Sequence, residues 1–178
     1  MSRSIIWGIV RFLVLLCTQV LVLDNINLFG YVEPMLYIWF ILLFPIKTPK
    51  WLVLILSFLM CFSVDIFAWQ VGFHTAVSTF TGFLRQIFFS QINADNQFSA
   101  FDIPSSETMG FMPYIAYISV LTFVHIFTIV MIETFRWSEI LQILLRAGLS
   151  SVVTILLIIL CDTMFFRNSK DWPATKSR

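Results

Sequence analysis

Apolar residues run along this chain in long blocks separated by short polar stretches. The blocks predict helices over residues 5–23, 34–44, 51–67, 72–89, 113–135 and 140–166. Most of them approach the ~20 residues that carry a helix across a ~30 Å hydrocarbon core. The pattern therefore predicts an all-α integral membrane protein, a six-span helical bundle forming one membrane domain over residues 1–178. The second block is the exception. Its eleven residues, at 1.5 Å of rise each, cover only about 16 Å. Backbone that is not helical at membrane depth survives only where protein or a water-filled cavity covers it, so this short span is expected to lie against the bundle. The first block is too long for the apolar core of a signal peptide and runs into Asp24-Asn25-Ile26-Asn27 without an A-x-A-like site, which predicts an uncleaved span.

Composition agrees with a membrane setting. Hydrophobic residues make up 59% of the chain and charged residues 12%, about half of what soluble domains carry, and the mean hydropathy is +0.90. The net charge of +1, without any basic block interleaved with aromatics, argues against a nucleic-acid partner. Cys17, Cys61 and Cys161 all fall in apolar blocks, are odd in number and have no C-x-x-C spacing, so neither disulfide nor zinc chemistry is expected.

Lysine and arginine orient the spans. With both termini cytoplasmic, Arg3, Lys47, Lys50, Arg85, Arg167, Lys170, Lys176 and Arg178 lie at the inner side, and only Arg136 lies at the outer side. This bias makes the turns 24–33, 68–71 and 136–139 external, and the acidic loop around 95–107 internal. Asp65 and His74 then sit together at the outer ends of two adjacent antiparallel spans, with Glu133 in the same layer and Arg146 slightly deeper.

An ionisable residue in such a block is costly, by about 2.5–3.5 kcal/mol at a span centre, and marks either a functional group or a bonded structural one. Asp65 admits both readings: an ion- or proton-coupled site, or a carboxylate bonded to backbone or a nearby cation at a span end that water reaches. His74 is either a pH-sensitive group or a hydrogen-bonded turn residue. Arg11 is either a snorkelling anchor or an inward-facing partner for an acid on another span. No G-x-S-x-G, H-E-x-x-H or P-loop pattern occurs, and the six glycines never cluster, so no catalytic, cofactor or metal site is expected and the chain is read as a non-enzyme. A haem would need two facing histidines, and the predicted depths of His74 and His125 differ.

Small residues four apart, Gly72 and Ala76, Ser78 and Gly82, and Ala147 and Ser151, allow helices to approach closely. Glu133, Arg146, Ala147 and Ser151 are candidate pocket or helix-packing residues. The stretch 90–112, rich in Asn, Ser and Asp, is the one long loop.

Length, six apolar blocks with a short second one, the opening L-V-L-D-N-I-N-L-F-G-Y over residues 21–31, and D-I-F-A-W-Q-V-G-F-H-T-A over residues 65–76 resemble the MreD family of bacterial rod shape-determining membrane proteins. Asp65, Gly72, His74 and Ala76 occupy the family's elbow between third and fourth spans, while Cys61 stands where members often carry Gly. The resemblance implies a scaffold in the bacterial cytoplasmic membrane that works in the cell-elongation machinery. Such a scaffold binds the transmembrane helix of MreC, or self-associates, and couples MreB filaments to the wall synthases of peptidoglycan synthesis. It also implies a fold like the substrate-binding subunits of energy-coupling-factor transporters. That similarity supplies the alternative function, a small-molecule-binding subunit of a vitamin-type transporter with an external cavity lined by Asp65, His74 and Glu133.

Overall fold

In lipid no water stands ready to satisfy backbone N–H and C=O groups, so long apolar segments fold as helices whose bonds close within the segment. The computed structural model describes residues 2–23, 32–69, 72–92, 103–135 and 139–166, and these are all-helical apart from their connections. The order is α1 Ser2–Leu21, α2 Ile38–Leu42, α3 Lys50–Ala68, α4 Phe73–Ile92, α5 Ser106–Met109, α6 Phe111–Thr134 and α7 Ile140–Phe166. Three of them are long and apolar enough to cross a membrane: α3, α6 and the Ile140–Met164 part of α7. A shorter apolar stretch, Gly8–Leu21, lies in α1. The polar turn from Asp24, Gln70 and Val71, residues 93–102, the turn from Arg136 to Ser138 and the tail from Arg167 lie outside the described residues.

Boundaries differ from the sequence pattern in three places. The second block yields only five helical residues, with Pro34 and Pro45 delimiting the apolar run. α4 runs on to Ile92, and a single turn, α5, forms before α6, so both described ends of the stretch expected as a loop carry helix. Ser105 and Thr108 cap that turn reciprocally. α6 begins at Phe111 rather than Pro113, because proline in a first helical turn lacks an N–H that would have no intrahelical acceptor anyway.

α4 packs along α3 and α6, and α6 packs along α7. The Thr81 hydroxyl lies 2.8 Å from His125 Nδ1, and Arg85 Nε donates to the Tyr117 hydroxyl at 3.0 Å. Later positions on α4 thus meet earlier positions on α6, and the two helices are antiparallel. One end of the bundle, the elbow end, therefore gathers the end of α3, the start of α4, the end of α6 and the start of α7.

α4 carries its polarity inside out. His74, Thr75, Ser78, Thr81, Arg85 and Gln86 are buried, while Phe73, Phe80, Phe83 and Ile87 face outward. α7 likewise exposes Leu141, Leu145, Leu149, Val152, Leu156 and Leu160 along one stripe. Polar groups that meet inside and hydrocarbon that faces out suit a lipid solvent. α3 and α4 approach closely at Gly82, where an added Cβ would fall 2.9 Å from Ser57 Oγ.

Candidate functional site

The centre of the bundle is α2. Every residue from Met35 to Leu43 is buried. A helix this short leaves nearly all of its end N–H and C=O groups unbonded, and each one buried without a partner costs about 1–3 kcal/mol. Neighbouring helices supply the partners. From α1, Gln19 Oε1 accepts the backbone N–H of Leu36 at 2.8 Å and of Tyr37 at 3.4 Å, and Gln19 Nε2 donates to the Pro34 carbonyl. From α7, Ser150 Oγ accepts the N–H of Glu33 and Thr154 Oγ1 that of Met35, both at 3.2 Å.

At the other end of α2, Tyr117 on α6 donates its hydroxyl to the Leu42 carbonyl at 2.9 Å. Arg85 on α4 donates from Nη2 to the carbonyls of Phe44 and Pro45, and its guanidinium lies 4.8 Å from the centre of the Phe89 ring. Arg85 is wholly buried, and among the described residues its Nη1 has no hydrogen-bond partner. Its positive charge faces the carbonyl end of α2, the end where a helix dipole is negative.

Tyr37, at the start of α2, joins the cradle to a second network. Its hydroxyl lies 2.9 Å from His125 Nε2, and the two rings pack edge-on. The direction of these bonds follows from Thr81. That hydroxyl also lies 2.9 Å from the Val77 carbonyl, and giving its proton there leaves its oxygen to accept from His125 Nδ1. In that arrangement His125 is the Nδ1–H tautomer and its Nε2 takes the Tyr37 proton in preference to Met35 Sδ, a weaker acceptor 3.5 Å from the same hydroxyl. His74 also packs edge-on against Tyr37, with ring centroids 5.8 Å apart.

The elbow is built on Asp65. His74 Nδ1 lies 3.0 Å from Oδ1, while the Thr75 N–H donates to Oδ2 at 2.9 Å and the Thr75 hydroxyl donates to the same oxygen. The last turn of α3 is thereby tied to the first turn of α4. Asp65 is only 3% exposed, so the carboxylate expected at a water-accessible span end lies inside and is held by three donors instead. Gly72 has φ +81° and an added Cβ there would meet open space, so it serves the turn rather than a helix contact. Ala76 faces outward.

Glu133 shares the elbow end, within electrostatic reach of His74 and Glu33. Arg146 Nη2 bonds Glu33 Oε1 at 2.7 Å and stands 3.8 Å from Glu133 Oε2, which links the segment before α2 to the last turn of α6 and to α7. Ala147 and Ser151 are buried within the chain, with Ser151 bonding back to the Ala147 carbonyl, so their face is already occupied by the chain's own helices. The same holds for Tyr37, Trp39 and Phe40, whose large surfaces are spent inside. At the opposite end, Asp162 lies beside the Tyr114 hydroxyl and within electrostatic reach of Arg11. His74 and His125 sit two turns apart in level, about 10 Å. Among the described residues no cluster of three or more His, Cys, Asp or Glu side chains could hold a metal ion.

The roles of Gln19, Tyr37, Thr81 and Tyr117 are not singled out by sequence motifs. A signal for Thr81 exists nonetheless: His74, Ser78, Thr81 and Arg85 recur at helical spacing along an otherwise apolar block, tracing the buried face of α4. No protein-family model, curated protein or solved structure matches this chain.

Proposed function

We propose that the chain is a non-catalytic membrane scaffold of the MreD type, crossing the bacterial cytoplasmic membrane six times with both termini in the cytoplasm. It holds MreC and helps couple MreB filaments to peptidoglycan synthesis. In this reading α1, the short α2 and α4 are spans alongside α3, α6 and α7. The polar groups of α4 sit inside, and the neighbours of α2 satisfy its ends.

The observation that carries the proposal is that the elbow residues Asp65 and His74 are engaged by the chain's own donors and acceptors, as is His125. With the elbow and His125 engaged internally, what remains for partners is the apolar outer surface, such as the leucine stripe of α7, and association in lipid works through packing of such faces. Ala147, Ser151 and the aromatic residues of α2 lie inside, so the face that meets MreC is an outer one.

Co-expression tests this. An affinity-tagged chain should retain MreC through purification in mild detergent, and its depletion from the native host should turn rods into spheres. Reporter fusions after Asp102 and after Arg178 should both report cytoplasm, and one after Asn27 the exterior. If MreC is not retained, rods persist, and mass spectrometry finds a small molecule bound to the purified chain, the vitamin-type transporter subunit is the better reading.

A further inference from the structure

Two helices end on bulky aromatic residues in a conformation that such residues avoid. Trp69 caps α3 with φ +55° and Phe135 caps α6 with φ +42°, the left-handed region in which an L side chain crowds its own carbonyl. Glycine is the usual residue at this position of a helix end. In each case the backbone N–H closes the helix, bonding the carbonyls of Asp65 and Met131 respectively, so the conformation is fixed by the cap.

Among the described residues their side chains find little to pack against. Trp69 is 94% exposed and Phe135 82%, the two most exposed large apolar side chains among the described residues. Both stand at the elbow end, since α3 ends beside the start of α4 and α6 runs antiparallel to α4. They also terminate two of the helices long and apolar enough to cross a membrane, and the far ends of those helices again expose aromatics, Trp51 and Phe111. A tryptophan at the exposed end of a span, with an apolar body and a polar N–H, fits the boundary between headgroups and acyl chains, and a phenylalanine at the same level fits the acyl side of that boundary.

We propose that Trp69 and Phe135 are membrane-interface anchors: a pair of aromatic caps that insert into the headgroup boundary of one leaflet and set the depth of the elbow end. The partner is the lipid surface itself. Contact with it compensates the left-handed backbone, and it fixes the level of the Asp65–His74 elbow relative to water. This inference does not depend on the scaffold reading.

Tryptophan fluorescence in phosphatidylcholine vesicles tests it with conservative variants. Subtracting the emission of Trp69→Phe from that of the unmodified chain isolates Trp69, and subtracting the unmodified chain from Phe135→Trp isolates position 135. Both difference spectra should be blue-shifted from that of aqueous tryptophan. Lipids brominated near the headgroup end of the acyl chain should quench them more than lipids brominated near the bilayer centre, and acrylamide should quench them at least threefold less than free tryptophan. Full quenching by acrylamide with no effect of brominated lipid would place the rings in water and overturn the proposal. Insensitivity to both quenchers would place them against protein and overturn it equally.

Discussion

The backbone N–H of Leu36 donates to the side-chain oxygen of Gln19 at 2.8 Å, joining the last turn of α1 to the chain just before α2. Gln19 thus acts as a transplanted helix cap. It supplies from another helix the acceptor that water would give at a protein surface, and its amide returns a donor to Pro34. Gln19→Leu keeps the bulk and removes both, taking the acceptor from the Leu36 N–H and the donor from the Pro34 carbonyl. A loss of about 2–4 kcal/mol is expected from two or more buried groups left unsatisfied. It should appear in detergent-micelle unfolding, together with faster amide exchange confined first to residues 35–37.

At the other end of α2, Arg85 and Tyr117 act as a unit because the guanidinium bonds the same hydroxyl that reaches Leu42. Tyr117→Phe and Arg85→Lys should each destabilise the fold. Their double variant should cost less than the two losses added, with a coupling of about 0.5–3 kcal/mol in a double-mutant cycle. Strict additivity would mean that they cap α2 independently.

The contact between Gly82 and Ser57 predicts a rescue. Gly82→Ala places a Cβ 2.9 Å from Ser57 Oγ and should cost about 1–3 kcal/mol as overpacking. With Ser57→Ala added, the nearest neighbours become Ser57 Cβ at 3.5 Å and Val53 Cγ1 at 3.7 Å, which are ordinary contacts. The double variant should recover most of the loss, as read from unfolding midpoints.

Asp65 separates shape from charge. Asparagine can place its single oxygen where the two Thr75 donors converge and offer its amide to His74 Nδ1 once that ring changes tautomer. Asp65→Asn should therefore cost about 1 kcal/mol or less, whereas Asp65→Leu strands three donors and should cost about 3 kcal/mol or more. Membrane yield and unfolding in micelles would both report the difference. Should both variants accumulate alike while both abolish activity, the carboxylate charge itself carries the function.

The bonding of Thr81 makes a prediction about one proton. His125 should be the Nδ1–H tautomer, observable by nitrogen NMR of histidine-labelled protein, with Nε2 carrying no proton. Thr81→Val removes the acceptor that selects this form, and Tyr37→Phe removes the donor to Nε2. Either change should shift the tautomer equilibrium.

The apolar blocks by themselves determined that the described chain is helical, and three of those helices have the length and composition to cross a membrane. Hydrocarbon-length apolar runs leave the backbone no other way to satisfy itself. They also determined that the second block was too short to stand alone, because its length falls below that of the others whatever the fold. The paired placement of Asp65 and His74 at the junction of two blocks was legible for the same reason, being local in sequence. What the sequence could not supply is which side chains from 17 to 119 positions away would satisfy α2. Gln19, Arg85, Tyr117, Ser150 and Thr154 meet its ends only once four helices are packed around it, and hydrophobic periodicity carries no information about partners across helices. The tertiary structure also decided that Gly82 rather than Gly72 is the close approach, because a glycine's use depends on what faces its missing Cβ. It decided too that Asp65 is sealed rather than wet, because the depth of a span end depends on the neighbours that cover it.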